Sequence, residues 1–357
     1  EAIDSLEIGN YILLENGLMR IDVISKEEDG VTCKIINGGI LGNRKSLSVP
    51  GVHLNIPFIS EVDYNDIVYA ATHEGDFLAA SFVNRKEDIL EIREILDKYN
   101  SKMKIIAKIE SEEGVQNIDD ILCVSDGIMV ARGDLGTECK MEKLPFYQKH
   151  LINKARAHAK IVIVATEMLE SMKNSSRPTR AEITDVTNAV LEGADAVMLS
   201  GETTVGKYPV ETVSAMTSIC AEAENNASYD RHYLFGRQNN VSEMIAYSTV
   251  TSANEMGAKL IVTPTNSGYT ARKLSHFRPR CTVISYTNDP TVCRSNSILY
   301  GIKSIYGSQI KNTDKLIKEA RNICKKELKL IKDDIYIVNG GIPMSKKITN
   351  FMKIDKI

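Results

Sequence analysis

Short stretches of alternating apolar and polar residues characterise the first 50 positions of the chain. These stretches are residues 10–14, 18–24 and 31–36, and polar turns that contain glycine separate them. Alternation with a period of two, interrupted by such turns, is typical of β-hairpins. The pattern therefore predicts a small β-rich domain, or the end of one, over residues 1–50.

A different rhythm begins near residue 60, where helical patterns alternate with nearly continuous apolar runs. The apolar runs, interpreted as strands, are 77–83, 104–109, 127–131, 161–165 and 196–199. The helical patterns between and after them are 87–99, 113–124, 144–159, 180–192 and 209–225. Apolar strands separated by helices are typical of a parallel sheet that is covered on both faces. We expect an α/β domain over residues 51–225.

A polar stretch at 225–240 leads into a third segment, residues 240–357. Within this segment the predicted helices and strands are 243–256, 260–263, 269–276, 282–286, 313–327 and 335–338. The order favours an open, doubly wound α/β domain at the C-terminal end.

Composition narrows the functional classes. Of the 357 residues, 43% are hydrophobic and 25% are charged, which is typical of a globular protein. The net charge is −3 and the cationic residues are scattered along the sequence, so there is no cluster of positive charge of the kind that binds nucleic acid. No uncharged apolar run approaches the roughly 20 residues of a membrane span. Because of this charge distribution and these short apolar runs, we expect neither nucleic-acid nor membrane partners. Seven widely spaced cysteines without a CxxC pair indicate reduced thiols, so we expect a cytoplasmic protein.

Charged and hydroxyl side chains follow each predicted strand of the 51–225 region. In a (β/α)8 barrel the carboxyl ends of the strands form the face where active sites lie. Lys108 and Glu110 stand two positions apart in the sequence KIIAKIESEEGV, so both side chains point to the same side of the sheet. The pair suits a metal-bound anionic substrate, and a salt bridge at the strand end is the alternative interpretation.

The next strand continues into a glycine-containing sequence, GIMVARGDLG. Gly133 lets backbone amides approach an anion closely, and Asp134 offers a hard oxygen ligand. Because Glu110 follows the preceding strand, the two carboxylates are expected to converge with room for water and phosphate oxygens, as Mg²⁺ prefers. Taken alone, the sequence would indicate an ordinary loop.

Hydroxyl groups mark two further positions. Thr166 follows the next strand, and its hydroxyl can bind a substrate carboxylate and take part in proton transfer, although a threonine there is more often structural. In the third segment the sequence TNSGYT follows a strand and opens a helix. Thr265, Ser267 and Thr270 could cradle a phosphate, and ordinary capping of the helix is the alternative.

Five motifs occur in a fixed order along the strand ends. They are KIESEEG, ARGDLG, ATEMLESM, RPTRAE and MLSGET. In this order and spacing they resemble the catalytic-barrel motifs of the pyruvate kinase family. The resemblance extends from Ile8 to the C-terminus and includes a Pro50-Gly51 turn similar to the return from the family's lid domain. It implies a (β/α)8 TIM barrel, incomplete in this sequence, with a β-rich lid remnant and a C-terminal doubly wound α/β regulatory domain.

The resemblance also implies roles for single residues. Glu110 and Asp134 match the protein ligands of Mg²⁺ or Mn²⁺, and Lys108 matches the lysine that stabilises charge on the transferring phosphoryl group. The amides of Gly133 and Asp134, with the Thr166 hydroxyl, match the grip on the substrate carboxylate. Thr166 also lies on the family's proposed proton path. The implied glycolytic reaction transfers the phosphoryl group of phosphoenolpyruvate to ADP, giving pyruvate and ATP, with K⁺ as a further cation.

Assembly and regulation are implied in the same way. A member of this family is expected to be a homotetramer, with residues 177–182 near a subunit interface. The loop at 265–270 is similar to the one where many pyruvate kinases bind a sugar phosphate effector, and a nucleotide effector is a further possibility.

The sequence departs from the family at two site positions. Glu167 stands where Gln is usual and adds a negative charge near the metal, and Val205 stands where some members carry Lys. The family's first three barrel strands, most of its lid and the motif with its potassium ligands have no counterpart in the sequence. Two alternatives therefore remain: an inactive fragment that acts in oligomerisation or effector binding, and a metal-dependent barrel enzyme of the phosphoenolpyruvate or citrate-lyase type.

Overall fold

A computed structural model of the chain describes residues 3–15, 17–43, 45, 47–52, 54, 56–227, 240–310, 312–342 and 348–357. The chain divides into two compact units, one of Glu1–Ala155 with Val162–Asn226 and one of Arg156–Ile161 with Ala227–Ile357. Most of the polar connection predicted at 225–240 lies outside the described residues. The domain limits at residues 50, 225 and 240 stay predictions.

A β-rich module opens the first unit. Its described strands are β1 Tyr11–Leu14, β2 Met19–Lys26, β3 Val31–Asn37 and β4 Leu47–Ser48. They form an antiparallel sheet in the order β3-β2-β1-β4. Leu6, Ile12, Val23 and Val49 form a small core, as expected when alternate strand residues point to one face. The hairpins predicted from the alternating pattern are confirmed.

A parallel sheet with its helices forms the remainder of this unit. Its strands are β5 Phe77–Ala80, β6 Lys104–Ile109, β7 Gly127–Ala131, β8 Ile161–Ala165 and β9 Ala196–Met198. Its helices are α1 Glu61–Thr72, α2 Lys86–Lys98, α3 Glu112–Gln116, α4 Ile118–Val124, α5 Arg132–Glu138, α6 Leu144–Ala157, α7 Arg180–Glu192, α8 Gly201–Thr204 and α9 Pro209–Asn226. Neighbouring strands follow one another in sequence order. The predicted α/β architecture is confirmed, and the five strands are the described part of the barrel pattern.

Packing on β6 fixes which side chains face the site. Ile105, Ala107 and Ile109 are fully buried in the main apolar core together with helix residues. Lys108 alternates with them and therefore points to the opposite face of the sheet, as Glu110 does directly after the strand. A shift of one residue would bury the lysine among the helices and expose the isoleucines, so the apolar pattern specifies this orientation strongly.

One local prediction is wrong in detail. The helix predicted at 113–124 is divided into α3 and α4 at Asn117, which has φ −91° and ψ 11°. The Asn117 side chain donates a 2.9 Å hydrogen bond to the backbone carbonyl of Asn84, and this contact holds the interruption in place. The alternative interpretation of the glycine-containing sequence after β7, an ordinary loop, does not hold either, because Arg132 begins α5 directly at the end of the strand.

The second unit contains a mixed sheet with helices on both faces. Its described elements are α10 Val241–Met256, β10 Leu260–Pro264, α11 Tyr269–His276, β11 Thr282–Thr287, α12 Pro290–Ser295, β12 Ile302–Tyr306, α13 Thr313–Glu327, β13 Ile335–Gly340 and β14 Phe351–Lys356. The sheet order is β12-β11-β10-β13-β14, with β14 antiparallel to β13 and the other neighbours parallel.

Alternating strand residues supply two separate apolar cores in this unit. Leu260 and Val262 of β10 pack with the buried side of α13, whereas Ile261 packs with α10 and α11. Both faces of the sheet are therefore covered, and the predicted doubly wound fold is confirmed. In the described part of the chain, no helix has the length and apolar character needed to cross a bilayer.

Candidate active site

The carboxyl ends of β5 and β6 join around Glu110. Lys108 Nζ donates a 2.8 Å hydrogen bond to Ser81 Oγ and lies 2.8 Å from Glu110 Oε1. Glu110 is 1% exposed, and its Oε2 accepts a 2.5 Å hydrogen bond from the backbone N–H of Phe82. The structure thus brings together the predicted lysine and carboxylate, and the residues that follow β5 hold each of them.

The Glu110 carboxyl is electrostatically unusual. Burial raises its pKa, the Lys108 ammonium and the Phe82 N–H oppose that rise, and the negative charge of Asp134 adds to it. Oε1 lies in the ion pair with Lys108 and has no further partner among the described residues, so this buried oxygen keeps a lone pair available. A divalent cation would satisfy that oxygen and offset the cost of burying a carboxylate.

Gly133 and Asp134 lie in the first turn of α5, directly after β7. Both are half-buried, and Thr137 Oγ1 donates a 2.7 Å hydrogen bond to the Asp134 carbonyl. The influence of the Asp134 charge on the Glu110 pKa indicates that the two carboxylates act on each other. The convergence of the two carboxylates at neighbouring strand ends stays a prediction.

Thr166 follows β8 and interacts with Gly133. The backbone N–H of Gly133 donates a 2.7 Å hydrogen bond to Thr166 Oγ1, and Thr166 Oγ1 donates a 2.6 Å hydrogen bond to the carbonyl of Ala165. Two groups predicted to grip one substrate carboxylate are therefore bonded to each other. An anion that binds here would replace the Gly133–Thr166 hydrogen bond with bonds to itself.

The predicted metal site uses few protein ligands. Among the described residues there is no group of three or more His, Cys, Asp and Glu side chains placed to hold a metal ion. Mg²⁺ is commonly held by one or two carboxylates while water and substrate phosphate oxygens complete its octahedron. The pair Glu110 and Asp134, with the incompletely satisfied buried oxygen of Glu110, fits that donor set.

One buried residue at the strand ends was given no role by the sequence interpretation. Arg132 is 8% exposed and donates hydrogen bonds to the backbone carbonyls of Thr166 and Glu167. The available signal was an arginine directly after a wholly apolar strand, since a buried cation requires several partners. Of the two departures from the family, Glu167 is exposed beside this contact and the Val205 side chain is 79% exposed.

The predicted phosphate loop lines a cavity in the second unit. Thr265, Ser267 and Thr270 belong to the wall of a cavity of about 320 Å³, which Arg272 also lines. Thr265 Oγ1 accepts a 3.0 Å hydrogen bond from the N–H of Gly268, and Thr270 shares a 2.7 Å hydroxyl contact with Thr349. Ser267 is exposed at the cavity. The loop therefore contains a local hydrogen bond typical of helix capping and also lines a polar recess.

Fold and site together define a class: an α/β protein of barrel type with a partly buried ionic site at the carboxyl edge of its parallel sheet. The family model for the pyruvate kinase barrel domain matches residues 1–213, and the model for the pyruvate kinase alpha/beta domain matches residues 243–355. The chain belongs to the pyruvate kinase family.

Individual relatives agree with this assignment. A pyruvate kinase of Lactobacillus delbrueckii subsp. bulgaricus is 41% identical, over 99% of this chain and 62% of the relative. A pyruvate kinase of Clostridium perfringens is 40% identical, over 100% of this chain and 77% of the relative. The crystal structure of a pyruvate kinase from Cryptosporidium parvum has a TM-score of 0.93 and 40% identity, over 99% of this chain and 73% of that chain. The chain thus spans about three fifths to three quarters of the length of these relatives.

Proposed function

We propose that the protein transfers the phosphoryl group of phosphoenolpyruvate to ADP, giving pyruvate and ATP. The observation that carries the proposal is the buried Glu110 carboxylate with Lys108 at 2.8 Å, one strand away from Asp134. Phosphoryl transfer depends mainly on positioning and on cations around the transferring group, and this arrangement provides both. Membership of the pyruvate kinase family supports the same reaction.

Lys108 would stabilise negative charge during transfer. Its ammonium is held by Ser81 and Glu110, so it can face an incoming phosphoryl oxygen without a large reorganisation. The same charge would stabilise the enolate of pyruvate that remains after transfer. The hydrogen bond from Lys108 to Ser81 therefore orients the ammonium.

Glu110 and Asp134 would hold Mg²⁺ or Mn²⁺. When bound, the ion would supply positive charge to the phosphoryl oxygens and to the substrate carboxylate. K⁺ is a further cation that the family resemblance suggests, and we assign it no ligand among the described residues.

Gly133, Asp134 and Thr166 would grip the substrate carboxylate. The Gly133 N–H and the Thr166 hydroxyl are 2.7 Å apart in their own hydrogen bond, so one carboxylate oxygen could accept from both after small movements. Thr166 Oγ1 would then be close to the enolate and would lie on the path of the proton that converts it to pyruvate. This proton transfer makes the overall reaction strongly favourable.

A coupled assay of pyruvate formation tests the reaction. Phosphoenolpyruvate is supplied with and without ADP, Mg²⁺ and K⁺, and the mass of the sample is measured in parallel. We expect pyruvate formation that requires both ADP and Mg²⁺. Turnover without ADP would favour the lyase-type barrel enzyme, and no turnover from folded protein of the measured mass would favour a non-catalytic role.

We further propose that the recess around Thr265, Ser267 and Thr270 binds a phosphorylated effector. Its hydroxyls and Arg272 supply donors and a positive charge suited to a sugar phosphate or nucleotide. Family membership supports a homotetramer with residues 177–182 near an interface. The seven cysteines are free thiols, which supports a reducing, cytoplasmic location.

A further inference from the structure

The turn that carries Thr166 has an unusual backbone. Thr166 has φ +69° and Glu167 has φ +53°, so two consecutive residues with side chains occupy the left-handed region. A β-branched residue such as threonine is a strong outlier there. Such a conformation persists only when the surrounding structure holds it.

Arg132 contacts both carbonyls of the turn. Its Nε and Nη2 donate to the Thr166 carbonyl at 3.2 Å and 2.7 Å, and Nη2 also donates to the Glu167 carbonyl at 3.1 Å. The guanidinium is planar and presents its donors in a fixed fork, so these bonds define the orientation of both peptide groups. The Arg132 side chain is 8% exposed, so the guanidinium that makes these bonds is buried.

The guanidinium is itself anchored from the side of the helices. Nη1 of Arg132 donates at 2.5 Å to Asp185 Oδ2 on α7 and at 3.4 Å to Gln148 Oε1 on α6. Gln148 in turn donates a 2.9 Å hydrogen bond to Glu192. The guanidinium is thus held by side chains of two helices, α6 and α7.

The same short segment also holds the Thr166 hydroxyl. Gly133 directly follows Arg132, and its N–H donates to Thr166 Oγ1 at 2.7 Å. The carbonyl and the hydroxyl of Thr166 are therefore both fixed by the first two residues of α5. We propose that Arg132 is a positioning residue: it keeps the Thr166–Glu167 turn in the left-handed region and so aims the Thr166 hydroxyl at the substrate. The expected effect on catalysis rests on the proposed function. The expected effect on the Thr166–Glu167 turn rests on geometry alone.

The structural consequence is tested by crystal structures of the parent and of Arg132→Lys. An ammonium retains the charge and loses the planar fork, so it cannot satisfy both carbonyls and Asp185 together. We expect Thr166 to leave positive φ and the Gly133–Thr166 hydrogen bond to be lost. An unchanged turn with that hydrogen bond intact would overturn the proposal. If Arg132→Lys does not fold, Asp185→Asn loosens the same fork and is expected to shift the turn in the same direction.

Arg93→Lys is the matched control. Arg93 also donates to a backbone carbonyl, that of Met103 at 3.2 Å, and to a carboxylate, that of Asp126 at 2.8 Å. It lies on α2 and contacts no residue with positive φ in these bonds. Arg93→Lys removes a comparable guanidinium far from Thr166. A general loss of stability should therefore occur in both variants, whereas a changed Thr166–Glu167 turn should occur in Arg132→Lys alone.

Kinetics and ligand binding test the catalytic consequence. Misplacing a reacting group by about 1 Å costs on the order of 10²-fold in rate, so kcat of Arg132→Lys should fall by about that factor while KM for ADP stays close to the parent value. Binding of oxalate with Mg²⁺, measured by calorimetry, should weaken in the same variant. Equal kcat in Arg132→Lys and Arg93→Lys, or equal oxalate affinity in both, would overturn the proposal.

A second substitution distinguishes positioning from a merely structural role. Asn tolerates positive φ better than Glu, so Glu167→Asn should recover oxalate affinity and kcat in the Arg132→Lys background. No recovery would overturn the proposal. If the parent protein has no transferase activity, the proposed function fails, and the crystal structures and oxalate affinities still decide whether Arg132 positions Thr166.

Discussion

Lys108 Nζ lies 2.8 Å from Glu110 Oε1, and this carboxylate is 1% exposed at the carboxyl edge of the parallel sheet. Each charge lowers the free-energy cost of burying the other. Both groups can still bind further partners, because the ammonium has another N–H donor and the carboxylate has a lone pair without a hydrogen bond. An ion pair of this kind can accept a cation and an anion together, as a metal-bound phosphate requires.

Replacing Lys108 by Met should lower kcat by about 10²- to 10³-fold, because it removes positive charge that acts mainly in the transition state. Circular dichroism should show retained secondary structure. Lys104→Met is the control, since Lys104 lies on the same face at the opposite end of β6 and should keep the parent kcat. Comparable activity in Lys108→Met and the parent would remove Lys108 from the mechanism.

Replacing Glu110 by Gln should weaken Mn²⁺ binding by at least roughly tenfold, because a neutral amide is a poorer ligand for a hard cation. Titration followed by electron paramagnetic resonance measures free Mn²⁺ directly and does not depend on turnover. Glu112→Gln provides the control, since that carboxylate is bonded to Lys143 at 3.0 Å and to Tyr147 at 2.9 Å. Equal losses of Mn²⁺ affinity in the two variants would contradict the assignment of Glu110 as a ligand.

Glu192 should make stability depend on pH. Burial raises the pKa of its carboxyl, the hydrogen bond from Gln148 and the charge of Lys149 oppose that rise, and Asp185 adds to it. The native state therefore keeps this proton at pH values where the unfolded chain, with an ordinary pKa of 4.5, has lost it. The stability contributed by this group is complete below the unfolded pKa and is lost as pH rises through the folded pKa.

Glu192→Gln removes this titration and keeps an oxygen that can accept from Gln148. Relative to the parent, the variant should gain stability as pH rises from about 4 to about 8, with the change concentrated above the unfolded pKa. Urea unfolding at several pH values measures the difference in free energy of unfolding. A difference that is constant with pH would show that burial does not perturb this carboxyl.

Replacing Gly268 by Ala should abolish the response to a phosphorylated sugar and leave basal turnover intact. Gly268 has φ +77°, and a Cβ there would stand 2.4 Å from Oδ1 of the buried Asn296, so the 265–270 loop or the Asn296 side chain must move. Gly257→Ala is the control, because Gly257 has φ +64° and no described atom within 4 Å of its Cβ position. Activity is titrated with the effector, and an unchanged response in Gly268→Ala would exclude this loop from effector binding.

The apolar pattern alone identified most elements of the fold. The strands β6, β7 and β8 begin and end where continuous apolar runs predict, and α7 coincides with its predicted bounds. These elements are determined locally, because fully buried strands must be apolar throughout and helices end at recognisable caps. By contrast, β12 and β14 were not predicted, since their residues are half-buried at sheet edges and show weak alternation.

The candidate residues were also identified from the sequence, because parallel strands bring their carboxyl ends to one edge whatever the details of packing. Lys108, Glu110, Asp134 and Thr166 all lie at that edge. Their roles were suggested by motif resemblance, and those roles remain proposals. The sequence therefore determined which residues lie at the edge and which way β6 faces.

The tertiary structure decided how those residues are held. The hydrogen bond from the Phe82 N–H to the buried Glu110 carboxylate, and the one from Arg132 to the Thr166 carbonyl 34 positions away, depend on contacts between separate βα units. Hydrophobic periodicity reports which side of an element is buried and carries no information about which polar partner meets a side chain from a distant segment. The sequence thus determined the elements and their faces, and long-range packing determined the hydrogen bonds and pKa shifts at this candidate site.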